Sequence, residues 1–272
     1  MTLVTIGDIL GSGGAVLAFN VIQLEHAEAI LAGAEQAGRP VILQISENTS
    51  RYHGTLAPIA RATITLAERS RVAVAVHLDH AEDETLVAEA VELGFTSVMF
   101  DAATLPYIEN VERTAAVAAA SQSRGVWVEA ELGAIGGKGG AHTPGIRTDV
   151  AEAVSFVEKT GVNGLAVAVG SSHAMTSRSA SLEFELIAEL AASLRVPLVL
   201  HGSSGVSDAD IARAIECGIR KVNISTHING IFTAAVRASL EASPTLVDPR
   251  TYLGAGRDAV TAEVARLLTL LT

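Results

Sequence analysis

A single cysteine, Cys217, among 272 residues excludes an intramolecular disulfide, and a reducing cytoplasm fits that lack of thiols. The chain opens Met1-Thr2-Leu3-Val4 with no basic stretch followed by a long apolar run, so no secretory leader is expected. Purely apolar runs last only a few residues, far short of the roughly 20 that span a bilayer, and a soluble protein is expected. Lysine and arginine nowhere cluster and the formal charge is -11, which argues against nucleic acid or an anionic membrane as partner. Linkers, low-complexity tracts and shifts of composition are missing too, so one domain over residues 1–272 is expected. With 49% hydrophobic residues the chain can bury a full core, and about 250 residues is the usual size of an eight-stranded α/β barrel.

What is present is a repeated period. Eight short apolar runs rich in Val, Ile and Leu lie at 15–20, 40–46, 73–79, 97–102, 126–132, 164–170, 197–202 and 221–226. Amphipathic helical patterns follow them near 24–37, 54–69, 82–92, 107–123, 149–160, 182–194, 208–216 and 228–241. Eight strands each followed by a helix predict a closed parallel (β/α)8 TIM barrel of the α/β class. A further C-terminal helix over about 256–271 carries Val260, Val264, Leu267, Leu268 and Leu271, which suit packing either on the barrel or on a partner. Residues 133–148 are Gly-rich and too long for an ordinary βα loop, and they read as a mobile active-site loop.

Chemistry in such a barrel sits where strands end, and the ends here contrast with their apolar interiors. The runs finish in Asn20, Ser46, Asp79 with His80, Asp101, Glu129 with Glu131, Gly170 with His173, His201 with Gly202, and Asn223 with Ser225. His80, His173 and His201, from three strand ends facing one mouth, suit three imidazoles on one zinc with a fourth position open. His77, one layer below Asp79, reads as a packed, hydrogen-bonded interior group, while His26, His53, His142 and His227 fall on helices or loops with solvated or supporting roles. Strand alternation sets the Asp79 and His80 side chains apart, so Asp79 stands beside a metal rather than on it, as a proton acceptor or an imidazole's partner. Asp101 and Glu131 are hard oxygen donors for a second divalent ion or for orienting the histidines, and Glu129 is a substitute for Glu131. Gly170-Ser171-Ser172, Gly202-Ser203-Ser204-Gly205 and Asn223-Ile224-Ser225-Thr226 converge on the later strand ends as a phosphate cradle. Lys221, read as opening its strand, lies at the wrong end for a Schiff base.

Six ordered motifs then carry a family resemblance: Ala18-Phe19-Asn20, His77-Leu78-Asp79-His80 with Val98-Met99-Phe100-Asp101-Ala102, Val128-Glu129-Ala130-Glu131-Leu132-Gly133, Gly170-Ser171-Ser172-His173, Leu200-His201-Gly202-Ser203-Ser204-Gly205 and Lys221-Val222-Asn223-Ile224-Ser225-Thr226. Through nearly its whole length the chain resembles the class II, zinc-dependent ketose-bisphosphate aldolases of fructose- and tagatose-bisphosphate type. The resemblance implies Zn2+ on His80, His173 and His201, Asp79 as general acid/base, and Asp101 and Glu131 near a second metal location. It further implies that Gly202, Ser204, Asn223, Ser225 and Thr226 hold the dihydroxyacetone-phosphate end beside a monovalent cation, Na+ or K+, with Asn20, Ser46 and Gly170 also at the substrate. The implied reaction is reversible cleavage of a ketose 1,6-bisphosphate to dihydroxyacetone phosphate and an aldehyde such as glyceraldehyde 3-phosphate, through a zinc-stabilised ene-diolate. A cytoplasmic homodimer or homotetramer in carbohydrate metabolism is implied as well.

Three positions depart from that pattern. The loop Gly136-Gly137-Lys138-Gly139-Gly140-Ala141-His142 lacks the acidic residue the family carries there, with no carboxylate before Asp149; Ala174 stands where glycine is usual, and Gln23 where asparagine is. Two rivals therefore stand beside the aldolase: a metal-dependent hydrolase or epimerase acting on sugar phosphates, and a catalytically silent sugar-phosphate-binding homologue. For the far phosphate the sequence offers Arg51, Arg178 and Arg257 as candidates.

Overall fold

Apolar runs spaced by one helix each resolve into eight parallel strands, hydrogen-bonded in sequence order and closed into a barrel, in a computed structural model that describes residues 2–133, 147–173, 175 and 177–271. The strands are β1 (Val16–Asn20), β2 (Val41–Ser46), β3 (Val74–Ala81), β4 (Ser97–Phe100), β5 (Trp127–Leu132), β6 (Gly164–Val167), β7 (Leu198–Leu200) and β8 (Ile219–Ile224). The helices in chain order are α1 (Ile6–Gly11), α2 (Leu24–Ala37), α3 (Glu47–His53), α4 (Ala57–Glu68), α5 (Glu84–Leu93), α6 (Tyr107–Gln122), α7 (Val150–Thr160), α8 (Phe184–Ser193), α9 (Asp208–Cys217), α10 (Thr226–Ala242) and α11 (Pro249–Leu268). The (β/α)8 reading thus holds. The active-site loop expected at 133–148 lies mostly outside the described residues, as do His142 and Ala174.

Alternation along each strand splits the core in two. Outward residues such as Leu17, Leu43, Leu78, Val128, Leu165 and Leu200 pack under the helices. Inward residues fill the barrel: at its lower end Val16, Ala18, Ile42, Ala75 and Trp127 meet Ile6 and Ile9 of α1. That helix was not anticipated. Its signal is local, because Thr5 accepts from the Asp8 amide while Asp8 accepts from the Thr5 amide, a reciprocal cap.

Three boundaries differ from expectation in ways that matter. Helix α3 follows β2 without a break, its amino end capped by the Ser46 hydroxyl accepting from the Thr49 amide at 3.2 Å. Strand β3 runs on to Ala81, with its pairing to β4 irregular between Leu78 and Ala81. Strand β8 begins at Ile219, so Lys221 is its third residue and wholly buried inside the barrel rather than at the strand's opening. Arg220 and Lys221 together look like a polar entry, yet only Arg220 is exposed there.

Helix α11 packs on the barrel layer against α2 and α10, burying Val260, Val264, Leu267 and Leu268. The approach is close enough that a Cβ on Gly33 of α2 would stand 2.7 Å from the Thr261 carbonyl oxygen and 2.8 Å from Val264. Among the described residues no helix is long and apolar enough to cross a membrane.

Candidate active site

The strand ends meet in a cavity at the carboxyl end of the barrel. Its floor carries Asn20, Gln44, Asp79 and Asn223; His80 and His173 stand at its centre. One lip is formed by Gly202, Ser204, Ser225 and Thr226, after β7 and β8, and the facing lip by Ser46, Asn48, Arg51 and Glu82, after β2 and β3.

Alternation alone would aim Asp79 and His80 to opposite faces. The structure brings both to the cavity because His80 has φ of +50°, the sole non-glycine residue with positive φ among those described, at the irregularity between Leu78 and Ala81. Such a conformation costs on the order of 1–3 kcal/mol and persists where surrounding contacts fix it. Here His80 Nδ1 lies 2.8 Å from Asp101 Oδ2, and His80 Nε2 lies 4.0 Å from Asp79 Oδ1.

Three amides grip the Asp79 carboxylate. Asn223 Nδ2 donates to Oδ1 at 3.2 Å, and Asn20 Nδ2 and Gln44 Nε2 donate to Oδ2 at 3.3 and 3.4 Å. Gln44 also donates to Asn20 Oδ1 at 2.7 Å, locking the set. Burial pushes the Asp79 carboxyl up, but the His80, His201 and Lys221 charges and the Asn20 hydrogen bond outweigh it and bring the pKa to about 2. Asp79 is ionised at neutral pH.

One ligand-type atom from each of His80, Glu131, His173 and His201 lies within 4.8 Å of the others. His201 Nε2 is 2.8 Å from Glu129 Oε1, as His80 Nδ1 is from Asp101. Each carboxylate takes the proton-bearing nitrogen, which fixes both tautomers and leaves His80 Nε2 and His201 Nδ1 as lone-pair nitrogens. Those two nitrogens are 2.8 Å apart. Lone pairs at that separation repel unless a cation lies between the rings and the nearby acid. Burial above all, then the His80 and Lys221 charges, lower the His201 pKa well below the usual imidazole value and keep the ring in its neutral, ligating form. Three imidazoles and a carboxylate with this pattern of tautomers fit a bound divalent metal.

Asp101 is outside that donor set and orients His80 instead. Glu129 likewise does not stand in for Glu131. It lies one layer deeper, fully buried, accepting from His201 on one oxygen and from Lys221 Nζ at 2.8 Å on the other. His77 completes this layer, hydrogen-bonded to Ser97 and 3.4 Å from Lys221 Nζ.

On the first lip, Ser204 Oγ accepts from the His227 amide at 3.2 Å, and α10 begins at the cavity-lining pair Ser225 and Thr226 without a side-chain cap. Gly202, at φ of +67°, sits so close beneath Ser172 that a Cβ would fall 2.6 Å from its carbonyl carbon. Ser46, Asn20, Asn223 and Thr226 line the cavity as well. Gly170 does not, and faces the Ser181 carbonyl. Sequence reading missed Gln44, whose signal was a lone amide inside the apolar run Val41–Ser46, and it misplaced Lys221.

Comparison with known proteins agrees with this geometry. The family description fructose-bisphosphate aldolase class-II matches residues 8–272. A fructose-bisphosphate aldolase of Geobacillus stearothermophilus is 39% identical over 272 residues, covering 97% of this chain and 95% of its own. One from Staphylococcus aureus is 38% identical over 257 residues, covering 93% and 90%. The crystal structure of the YdjI aldolase from Escherichia coli superposes with a TM-score of 0.85 at 31% identity, covering 98% of this chain and 94% of that one.

Proposed function

The chain belongs to the class II fructose-bisphosphate aldolase family, and from that premise we propose that it cleaves and forms a ketose 1,6-bisphosphate, with dihydroxyacetone phosphate as one product and an aldehyde such as glyceraldehyde 3-phosphate as the other. It is an aldolase, a carbon-carbon lyase. The observation that carries the reading is an ionised carboxylate, Asp79, gripped by three amides beside three converging imidazoles.

His80, His173 and His201, with Glu131 beside them, would hold the metal, and zinc is the ion their donor set favours. When bound, it supplies Lewis acidity that polarises the ketone and stabilises charge left by carbon-carbon cleavage. The chain's own groups do the rest. Asp79 takes the proton from the C4 hydroxyl in cleavage and returns it in condensation. Asn20, Gln44 and Asn223 hold that carboxylate in place and in its charged form. The lip of Gly202, Ser204, Ser225 and Thr226, with the opening amides of α10, binds the dihydroxyacetone-phosphate end. Asp101 and Glu129 fix which nitrogen His80 and His201 present.

A coupled assay for dihydroxyacetone phosphate from fructose and tagatose 1,6-bisphosphates, run with and without chelator, tests this. Chelator-sensitive release lost in His201→Ala is the expected result, and the ratio of the two sugars ranks them. Phosphate-ester hydrolysis without triose release would move the assignment to the hydrolase, and metal and ligand binding without turnover to the silent homologue.

A further inference from the structure

The lip of Gly202, Ser204, Ser225 and Thr226 offers a phosphate hydroxyls and the start of a helix, and among the described residues no lysine or arginine lines it. Neutral donors hold an anion well only when all of them are aimed at once. Here they come from separate connections, the β7–α9 turn and the β8–α10 junction, beside the β6–α8 connection that carries His173. Their relative placement has to be fixed from outside.

We infer that a closed ring of charged side chains behind the lip does this, and that Glu263 and Arg266 of α11, which complete the ring, are positioning residues for the dihydroxyacetone-phosphate end; this rests on the aldolase reading. The ring has one member on each connection. Arg178, after β6, donates from Nη1 to Asp208 Oδ1 at 2.5 Å, and Asp208 opens α9. Asp208 Oδ2 accepts from Arg266 Nη1 at 2.7 Å. Arg266 in turn grips Glu263 twice, Nη2 donating to Oε1 at 2.7 Å and Nε to Oε2 at 2.8 Å. His227, in the first turn of α10, donates from Nε2 to Glu263 Oε1 at 2.6 Å and lies 3.2 Å from Arg178 Nη2, where the circuit closes.

Two contacts couple the ring to the lip. The His227 amide donates to Ser204 Oγ, so the β8 side holds the β7 side, and Ser204, used there as an acceptor, keeps its O–H for an anion. The Ala180 amide donates to the Gly205 carbonyl at 2.9 Å, which ties the segment beside Arg178 to the same turn. Isolated surface ion pairs contribute little, but every member of this ring has two partners, and Glu263 and His227 are only 15% and 23% exposed. Hydrogen bonds from Arg266, which outweigh burial, together with that from His227, hold the Glu263 carboxyl below its usual range. None of the five side chains lines the cavity, so their effect on catalysis comes through the placement of the lip.

Condensation kinetics separate the two ends of the product, because dihydroxyacetone phosphate occupies this lip and glyceraldehyde 3-phosphate does not. The proteins to compare are metal-replete wild type, Glu263→Met, Glu263→Gln and Arg266→Met. In Glu263→Met the KM for dihydroxyacetone phosphate should rise about 5- to 10-fold, with kcat and the KM for the aldehyde within about twofold of wild type. Glu263→Gln keeps an acceptor for His227 and should recover most of that rise, while Arg266→Met, which opens the ring at another point, should repeat it. Equal rises in both KM values, a loss carried by kcat, or no change in either methionine variant would each overturn the inference. A wild type that forms no ketose bisphosphate removes the aldolase reading itself, a distinct result.

Discussion

At the lower end of the barrel the inward side chains are Val16, Ala18, Ile42, Ala75 and Trp127 under the α1 plug, whereas higher up β3 and β5 turn His77 and Glu129 inward to meet Lys221 of β8. The lower layer is stabilised by burial and contains nothing that titrates. The upper layer buries an ion pair at 0% exposure on both sides, which contributes little to stability but becomes very costly if one partner is lost. Above it lie Asp79 and the three imidazoles. Stability and chemistry are thus separated by about two residues along each strand, and the ionic layer is the mount between them.

That separation can be broken from either side. Asp79→Asn keeps the amide-lined shape and should lower kcat by about 10⁴-fold, roughly 5.5 kcal/mol of barrier, with little change in Tm. An unchanged kcat would remove Asp79 from proton transfer. Lys221→Met leaves the buried Glu129 carboxylate without its lysine cation, with only the His201 hydrogen bond remaining, and should cost about 3–5 kcal/mol in denaturant unfolding. The double variant Lys221→Met with Glu129→Gln should recover most of that, because the glutamine carbonyl still accepts from His201; failure to recover would mean that packing rather than charge is at stake. Ile9→Ala in the plug should cost roughly 2–3 kcal/mol while leaving kcat within about twofold, and a large activity loss there would contradict the division into layers.

The smallest effect expected is a pH slope. Burial above all, then the Lys221 charge, depress the His77 pKa well below 6.5, so the folded ring stays neutral while the unfolded ring takes up a proton below about pH 6.5. The unfolded state then binds more protons, and metal-free protein should lose stability as pH falls from about 6.5, by about 1 kcal/mol per unit from this residue. His77→Gln should flatten that slope in urea titrations at pH 5.5 and 6.5, and an unaltered slope would place the titration elsewhere.

Much of this was legible in the chain. Helix-length spacing between Val-rich runs sufficed for the barrel, and the polar residue closing each run sufficed to gather Asp79, His80, His173, His201 and Asn223. Lys221 was misread because local polarity cannot distinguish a strand's exposed entry from a cation paired deep inside; its partner Glu129 is 92 residues away in sequence. Gln44 was passed over for the same reason, since its role exists only once β2 is beside β3 and β1.

What the sequence determined by itself was period and chemistry: which runs alternate, which residues end them, and that three imidazoles and an acid share one mouth. Those follow from short-range patterning, which every tertiary arrangement must respect. Only the tertiary structure decided orientation. It turned His80 through a left-handed residue to face the same cavity as Asp79, gave Asp101 and Glu129 the task of fixing imidazole tautomers, and seated α11 on α2 against Gly33. Each of these depends on hydrogen bonds or contacts between distant segments, whose geometry is set when the barrel closes.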